Sequence, residues 1–119
     1  MFFFMGGCVR VYRVGSDIWE TFDLPDELTP IDRSTRAAFI SPHELIFSGG
    51  KLGTRTLLYD LKTRRLKHKR PMTIPRSNHE ILVHRDRVFA LSGLCITEGI
   101  CLPRCEVLDL ALDRWSPLR

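Results

Sequence analysis

The sequence predicts an all-β chain built from repeated antiparallel sheets. Three observations carry this: glycine pairs at a fixed spacing, a short apolar run before each pair, and no helical periodicity. Gly6-Gly7, Gly49-Gly50 and Ser92-Gly93 recur every 43 residues. The runs Phe2–Met5, Leu45–Ser48 and Val88–Leu91 precede them. Uninterrupted apolar runs of this length read as strands buried on both faces. No window places apolar residues at i, i+3, i+4 and i+7, so helix is expected to be nearly absent. Short strands separated by turns at a period near 43 point to a β-propeller with four strands per blade.

The remaining elements follow in order within each period. After each glycine pair comes a β-prone segment: Val11-Tyr12, Leu58-Tyr59 and Val107-Leu108. Seven residues after Tyr12, Tyr59 and Leu108 stand Trp19, Leu66 and Trp115, each leading a further strand. The turns between carry loop formers: Gly15-Ser16-Asp17, Asp60 with Lys62-Thr63, and Asp109 with Asp113. Ahead of the second and third glycine pairs lies an Arg-led strand, Arg36 before Ala37–Ile40 and Arg76 before Ser77–His84. Large aromatics at Tyr12, Trp19, Tyr59 and Trp115 are expected to fill the space between adjacent blades. The glycines are expected to supply positive φ and close approach of loops.

These residues resemble the kelch repeat. A kelch blade reads as an Arg-led strand, a strand ending in Gly-Gly, Tyr-Asp, a Trp six residues on, then Met-x-x-Pro-Arg. This chain shows Tyr59-Asp60, Met72-Thr-Ile-Pro75-Arg76, His79, Ser92-Gly93, and Asp109 with Trp115 six residues later. It also shows Gly6-Gly7, Tyr12 and Trp19. The likeness runs along essentially the whole chain. Leu66 stands for the usual Trp, Ser92 for the first Gly, Arg13 for the Asp and Leu108 for the Tyr. The resemblance implies structural roles for Gly6, Gly7, Trp19, Arg36, Gly49, Gly50, Tyr59, Asp60, Arg76, His79, Gly93, Asp109 and Trp115.

Counting strands gives three, then four, then four. The expected segments are a partial blade with its linker over 1–35, a second blade over 36–75 and a third over 76–119. About three blades, the first incomplete, cannot close a ring that takes four to eight. Remaining blades are expected from a longer chain or another subunit.

The charge is local. Lys+Arg total 18 against 14 Asp+Glu. Six of the basic residues lie in 62–70, KTRRLKHKR; outside it 12 basic residues face 14 acidic ones. One basic segment on a near-neutral chain is not the spread footprint of a nucleic-acid coat. No aromatic lies between Leu61 and Arg87 to stack bases, so a nucleic-acid partner is not expected. No apolar run approaches the roughly 20 residues of a membrane span. Met1–Met5 lacks the basic flank and cleavage site of a secretory signal. The four cysteines are too sparse for a disulfide scaffold, which favours a reducing, cytoplasmic setting. Cys95, Cys101 and Cys105 stand as C-x5-C-x3-C with no histidine within ten residues, so no metal or other cofactor is expected.

Catalytic motifs are also missing: no Gly-x-Ser-x-Gly, no His-Glu-x-x-His, no phosphate-binding glycine loop. The sequence therefore points to a non-catalytic interaction module. Turns joining strands one to two and three to four are short and uniform. Those joining two to three and four to one vary, and include Leu94–Arg104 and the linker 23–35. Variable loops on a regular scaffold are where recognition sits. The candidates there are Lys51, Arg55, Lys69, Arg70, Cys95, Cys101 and Arg104, with a protein partner bearing an acidic segment. The resemblance allows two alternatives. One is a piece of a kelch-type propeller enzyme with catalytic residues elsewhere. The other is a structural subunit of a ribonucleoprotein or cytoskeletal assembly.

Overall fold

The computed structural model describes residues 2–5, 7–28, 31–95, 99–101 and 103–118. It is all-β, with thirteen strands in antiparallel sheets and no α-helix among the described residues. Two single 3-10 turns complete it, at Asp26–Leu28 and Gly50–Leu52. Among the described residues no helix is long and apolar enough to cross a membrane. The chain divides into two compact units, Met1–Pro30 and Ile31–Arg119.

The first unit holds a three-stranded meander of β1 (Phe2–Met5), β2 (Cys8–Arg13) and β3 (Ile18–Asp23). Val9 and Val11 are fully buried on one face of β2. On the other face Tyr12 pairs across strands with Trp19, ring centroids 5.1 Å apart. The Arg10 guanidinium lies 5.1 Å from the Trp19 ring. Trp19 was expected in a buried contact between blades, yet it is 42% exposed. Its packing is with its own sheet.

The second unit contains two four-stranded sheets. The first runs β4 (Arg36–Ser41), β5 (Glu44–Ser48), β6 (Thr56–Asp60) and β7 (Arg65–Lys69). The second is formed by β8 (Glu80–His84), β9 (Arg87–Leu91), β12 (Cys105–Asp109) and β13 (Arg114–Leu118). Between β9 and β12 stands a small hairpin, β10 (Leu94–Cys95) with β11 (Ile100–Cys101). The insertion 94–104, expected as an irregular loop, thus carries paired strands. Tight turns end on left-handed residues: Asp17 (φ 61), Arg64 (φ 60) and Asp113 (φ 52) before β3, β7 and β13.

The core of this unit lies between its two sheets. Ile46 and Leu58 of one meet Val88, Ala90, Leu108 and Trp115 of the other, with Met72 from the connection. Each fully buried side chain of this kind contributes about 1.5–3 kcal/mol. Trp115 is 7% exposed, and its indole N–H donates to the Arg70 carbonyl at 2.7 Å. This shared core is why 36–75 and 76–119, expected as separate blades, form one unit. The linker that closes the 1–35 segment is divided between the two units, at Pro30 and Ile31. The reason is that Thr35 belongs to the second unit: its hydroxyl donates to the Gly49 carbonyl at 3.1 Å.

β5 is buried on both faces, as its apolar run predicts, with Leu45, Ile46 and Phe47 at 0% exposure. β9 is not. Val88 and Ala90 are buried, while Phe89 and Leu91 are half-exposed. One face of the last sheet faces solvent.

Candidate functional site

The connections β5–β6, β7–β8 and β9–β12 are tied together at one end of the second unit. Gly50 N donates to the Arg76 carbonyl at 2.8 Å, and Met72 N to the Thr54 carbonyl at 2.8 Å. Ser77 and Leu94 exchange two backbone hydrogen bonds, of 2.9 and 2.8 Å. These bonds satisfy buried backbone groups that loops would otherwise leave unpaired.

Arg76 is the centre of this arrangement. Its side chain is 1% exposed. Nη1 donates to the Ser92 carbonyl at 2.8 Å and the Arg104 carbonyl at 2.5 Å. It therefore grips both ends of the 94–104 insertion. Nε and Nη2 each reach Glu106 Oε2 at 3.3 Å. Glu106, 2% exposed, uses Oε1 to accept from Thr73 N at 3.0 Å and the Thr73 hydroxyl at 2.8 Å. A buried guanidinium is tolerated because a carboxylate and two carbonyls replace its water.

His79 sits beside Arg76 at 0% exposure. Its Nε2 lies 2.9 Å from the Ser48 hydroxyl, while Nδ1 has no hydrogen-bond partner. Burial, then the charges of Arg36 and Arg76, hold its pKa down to about 4. It is neutral at physiological pH. Arg36 donates from Nε to the His79 carbonyl at 2.6 Å and from Nη1 to the Arg33 carbonyl at 2.8 Å. Ahead of it the Asp32 carboxylate accepts from Ser34 N at 3.0 Å and the Ser34 hydroxyl at 2.6 Å, which holds its pKa below the usual range.

Around this fixed base stand the exposed candidates. Lys51 lies on the 3-10 turn after β5 and is exposed. Arg55 is exposed, its Nε donating to the Leu52 carbonyl at 3.2 Å. Cys101 and Arg104 are exposed on the insertion, with Leu94 at 39% and Ile100 at 47% exposure. Three candidates stand apart from this group. Cys95 is 3% exposed and cannot touch a partner. Lys69 ends β7, and Arg70 is held toward the β12–β13 turn, its backbone N–H donating to Asp113 Oδ1 at 3.0 Å. Among the described residues no group of His, Cys, Asp and Glu could hold a metal ion. All four cysteines are unpaired with one another.

Arg36 and Arg76 bond backbone carbonyls, and a Cβ on Gly49 or Gly93 would overlap His79. Asp60 and Asp109 each close a turn by accepting two backbone N–H groups: Lys62 and Thr63 at 2.8 and 3.0 Å, Ala111 and Leu112 at 3.0 Å each. For Asp60 those bonds lower its pKa. Gly6 lies outside the described residues. Glu106 is the residue that sequence reasoning missed. The signal was present: one acid inside the strand Cys105–Asp109, in a chain with a buried arginine to neutralise.

No family model matches this sequence, and no curated protein matches it. Solved structures are similar to it. One, titled "Structure of YjhT", superposes with a TM-score of 0.67 at 19% identity, covering 80% of this chain and 29% of that one. The likeness is one of fold. This chain spans under a third of that structure's length.

Proposed function

We propose that this chain is a run of kelch-type propeller blades acting as a non-catalytic protein-interaction module. It binds its partner through the loops joining strands two to three and four to one. The observation that carries this reading is the Arg76 clamp. It fixes Ser92 and Arg104 with two charge-assisted hydrogen bonds, so the insertion between them is presented from a rigid base. A recognition element held this way loses less entropy on binding. The insertion offers Leu94 and Ile100 as apolar contacts, with Arg104, Lys51 and Arg55 as cations. That chemistry suits a segment with acidic residues around an apolar anchor.

The test uses a fluorescently labelled peptide of glutamates interrupted by leucine. Anisotropy should show salt-sensitive binding to the intact chain. Ile100→Ser with Arg104→Glu should leave the melting transition nearly unchanged, since both side chains are exposed and the Arg104 carbonyl stays in place, and should remove binding. Lys51→Glu with Arg55→Glu should weaken it. Equal binding by all three proteins would show that this end of the unit is not the recognition surface.

A further inference from the structure

The outer edge of the sheet β4–β7 is a strand of cations. Among the described residues β7 pairs with β6 on one side and with no strand on the other. This edge lies inside the chain: the turn before it and the connection after it are both described. In an antiparallel pair, alternate residues turn their backbone groups toward the partner and those between turn theirs away. Arg70 fixes which are which. Its N–H donates to Asp113 Oδ1 at 3.0 Å and its carbonyl accepts the Trp115 indole N–H at 2.7 Å, so both groups point away from β6. By the same alternation Leu66 and His68 turn their N–H and C=O outward.

Arg65, Lys67 and Lys69 alternate with them on one face of the strand, about 6.8 Å apart. Arg65 and Lys67 are exposed and Lys69 is half-buried. Among the described residues none of the three side chains has a hydrogen bond or ion pair. Beside Arg65 and Lys67 lies a hollow of about 370 Å³, lined also by Glu44, Leu58, Asp60 and Thr63. Its two acids are engaged: Glu44 Oε1 accepts from the Ser41 hydroxyl at 3.0 Å, and Asp60 closes its turn. The last sheet has the same edge blunted. Its pair Glu106 and Pro117 corresponds to Leu57 and His68, as Asp109 and Arg114 do to Asp60 and Arg65. Pro117 thus stands where His68 does, with no N–H to give, and Ser116 stands where Lys67 does.

We infer that β7 takes an added antiparallel strand from a partner protein, an extended segment with acidic residues at alternate positions. The backbone of that segment pairs with Leu66 and His68. Its acids fall opposite Arg65, Lys67 and Lys69, at the positions where facing side chains come closest. A second copy of β7 does not fit, because cations would face cations. A nucleic-acid strand would meet the charges but leave the backbone groups unused, and no aromatic lies between Leu61 and Arg87 to stack its bases. None of these residues belongs to the insertion 94–104, so this surface stands or falls separately from it.

Fluorescence anisotropy of a short labelled peptide alternating glutamate with threonine tests this on the intact chain. The expected result is saturable binding that weakens with salt. A peptide of the same composition with its glutamates contiguous should bind about fivefold more weakly, because only every second one can face a cation. His68→Pro leaves every cation of β7 in place and copies Pro117. It should keep the wild-type melting temperature and weaken binding about tenfold. Lys67→Glu with Lys69→Glu keeps the backbone donor and should weaken binding about as much; it tests the site should the proline disturb the sheet. Ile100→Ser with Arg104→Glu should leave this binding unchanged. Equal binding of the two peptides, undiminished binding by a folded His68→Pro or by the double glutamate variant, or loss of binding in the insertion variant would each overturn the inference. So would an oligouridylate that displaces the peptide and binds wild type and His68→Pro alike, which would mark β7 as a site for polyanions.

Discussion

Arg76→Met removes the guanidinium while keeping most of the side-chain stem. It leaves Glu106, 2% exposed, with the two Thr73 bonds to Oε1 and no cation opposite Oε2. Removing one member of a buried pair costs about 3–5 kcal/mol. The Ser92 and Arg104 carbonyls also lose a donor. An unsatisfied buried carbonyl costs about 1–3 kcal/mol, but these two can recover water if the insertion opens. The expected total is therefore about 4 kcal/mol, out of roughly 5–15 kcal/mol for a domain.

Urea unfolding followed by Trp115 fluorescence measures this cost. Protease cleavage within 94–104 should accelerate in parallel, since both ends of that segment are released. The double variant Arg76→Met/Glu106→Leu should be less damaged than the sum of the single changes, because no charge is left buried alone. A cost below about 1 kcal/mol for Arg76→Met would match a solvent-screened surface pair. It would refute the view that this pair holds the base of the insertion.

Three further outcomes follow from the same packing. Trp115→Ala should cost about 3–5 kcal/mol, as large-to-small core changes do, whereas Trp19→Ala, at a half-exposed position, should cost less; equal losses in urea unfolding would contradict their burial. Gly49→Ala should be far worse than Gly53→Ala. A methyl at Gly49 meets the Arg76 carbonyl and His79 Cε1 at 2.4 Å each, whereas nothing lies within 4 Å at Gly53; matching melting temperatures would count against that packing. His79, with a folded pKa of about 4 against an ordinary 6.5, stabilises the fold fully above about pH 6.5, and that contribution falls as pH drops toward 4. The loss is about 3 kcal/mol by pH 4, ahead of the acid loss from Asp32 and Asp60, whose lowered carboxyl pKa values act below 3.8. A urea midpoint for His79→Asn that falls between pH 7 and 4.5 as steeply as the wild type would exclude His79 as the cause.

Strand order was legible because the repeat is written in residue types with strict backbone demands. Glycine pairs and turn aspartates stand beside each of the sheets of three, four and four strands, and an arginine leads into each four-stranded sheet. Burial was less legible. Trp19 and Trp115 occupy equivalent positions, yet one is half-exposed, because exposure depends on whether a neighbouring sheet is present. The same cause makes β9 alternate where β5 does not. The hairpin β10–β11 was hidden since two-residue strands leave no periodic signal. Within the candidate site the exposed cations were read from charge alone. Cys95 was misplaced because nothing in its own identity says which side of a hairpin it occupies.

The glycine spacing has a more specific cause than turn geometry. A Cβ on Gly49 would overlap His79 Cε1 at 2.4 Å, and a Cβ on Gly93 would overlap His79 Cβ at 2.7 Å. The two glycines follow β5 and β9 of successive sheets; Gly49 leaves room for the His79 ring and the Arg76 carbonyl, and Gly93 for the His79 Cβ and the Ser77 carbonyl. His79 in turn is buried and lies near the charges of Arg36 and Arg76; burial first, and then those charges, keep it neutral. Ser48 fixes its ring through Nε2. An apolar residue of similar volume would fill the same space without orientation. The imidazole, by contrast, bonds only in one pose, and so ties β5 of one sheet to the strand entry of the next. Polar groups buried this way contribute little net energy but penalise a slipped arrangement heavily. The register between the two sheets of the second unit is thereby specified, and with it the position from which Arg76 holds the 94–104 insertion.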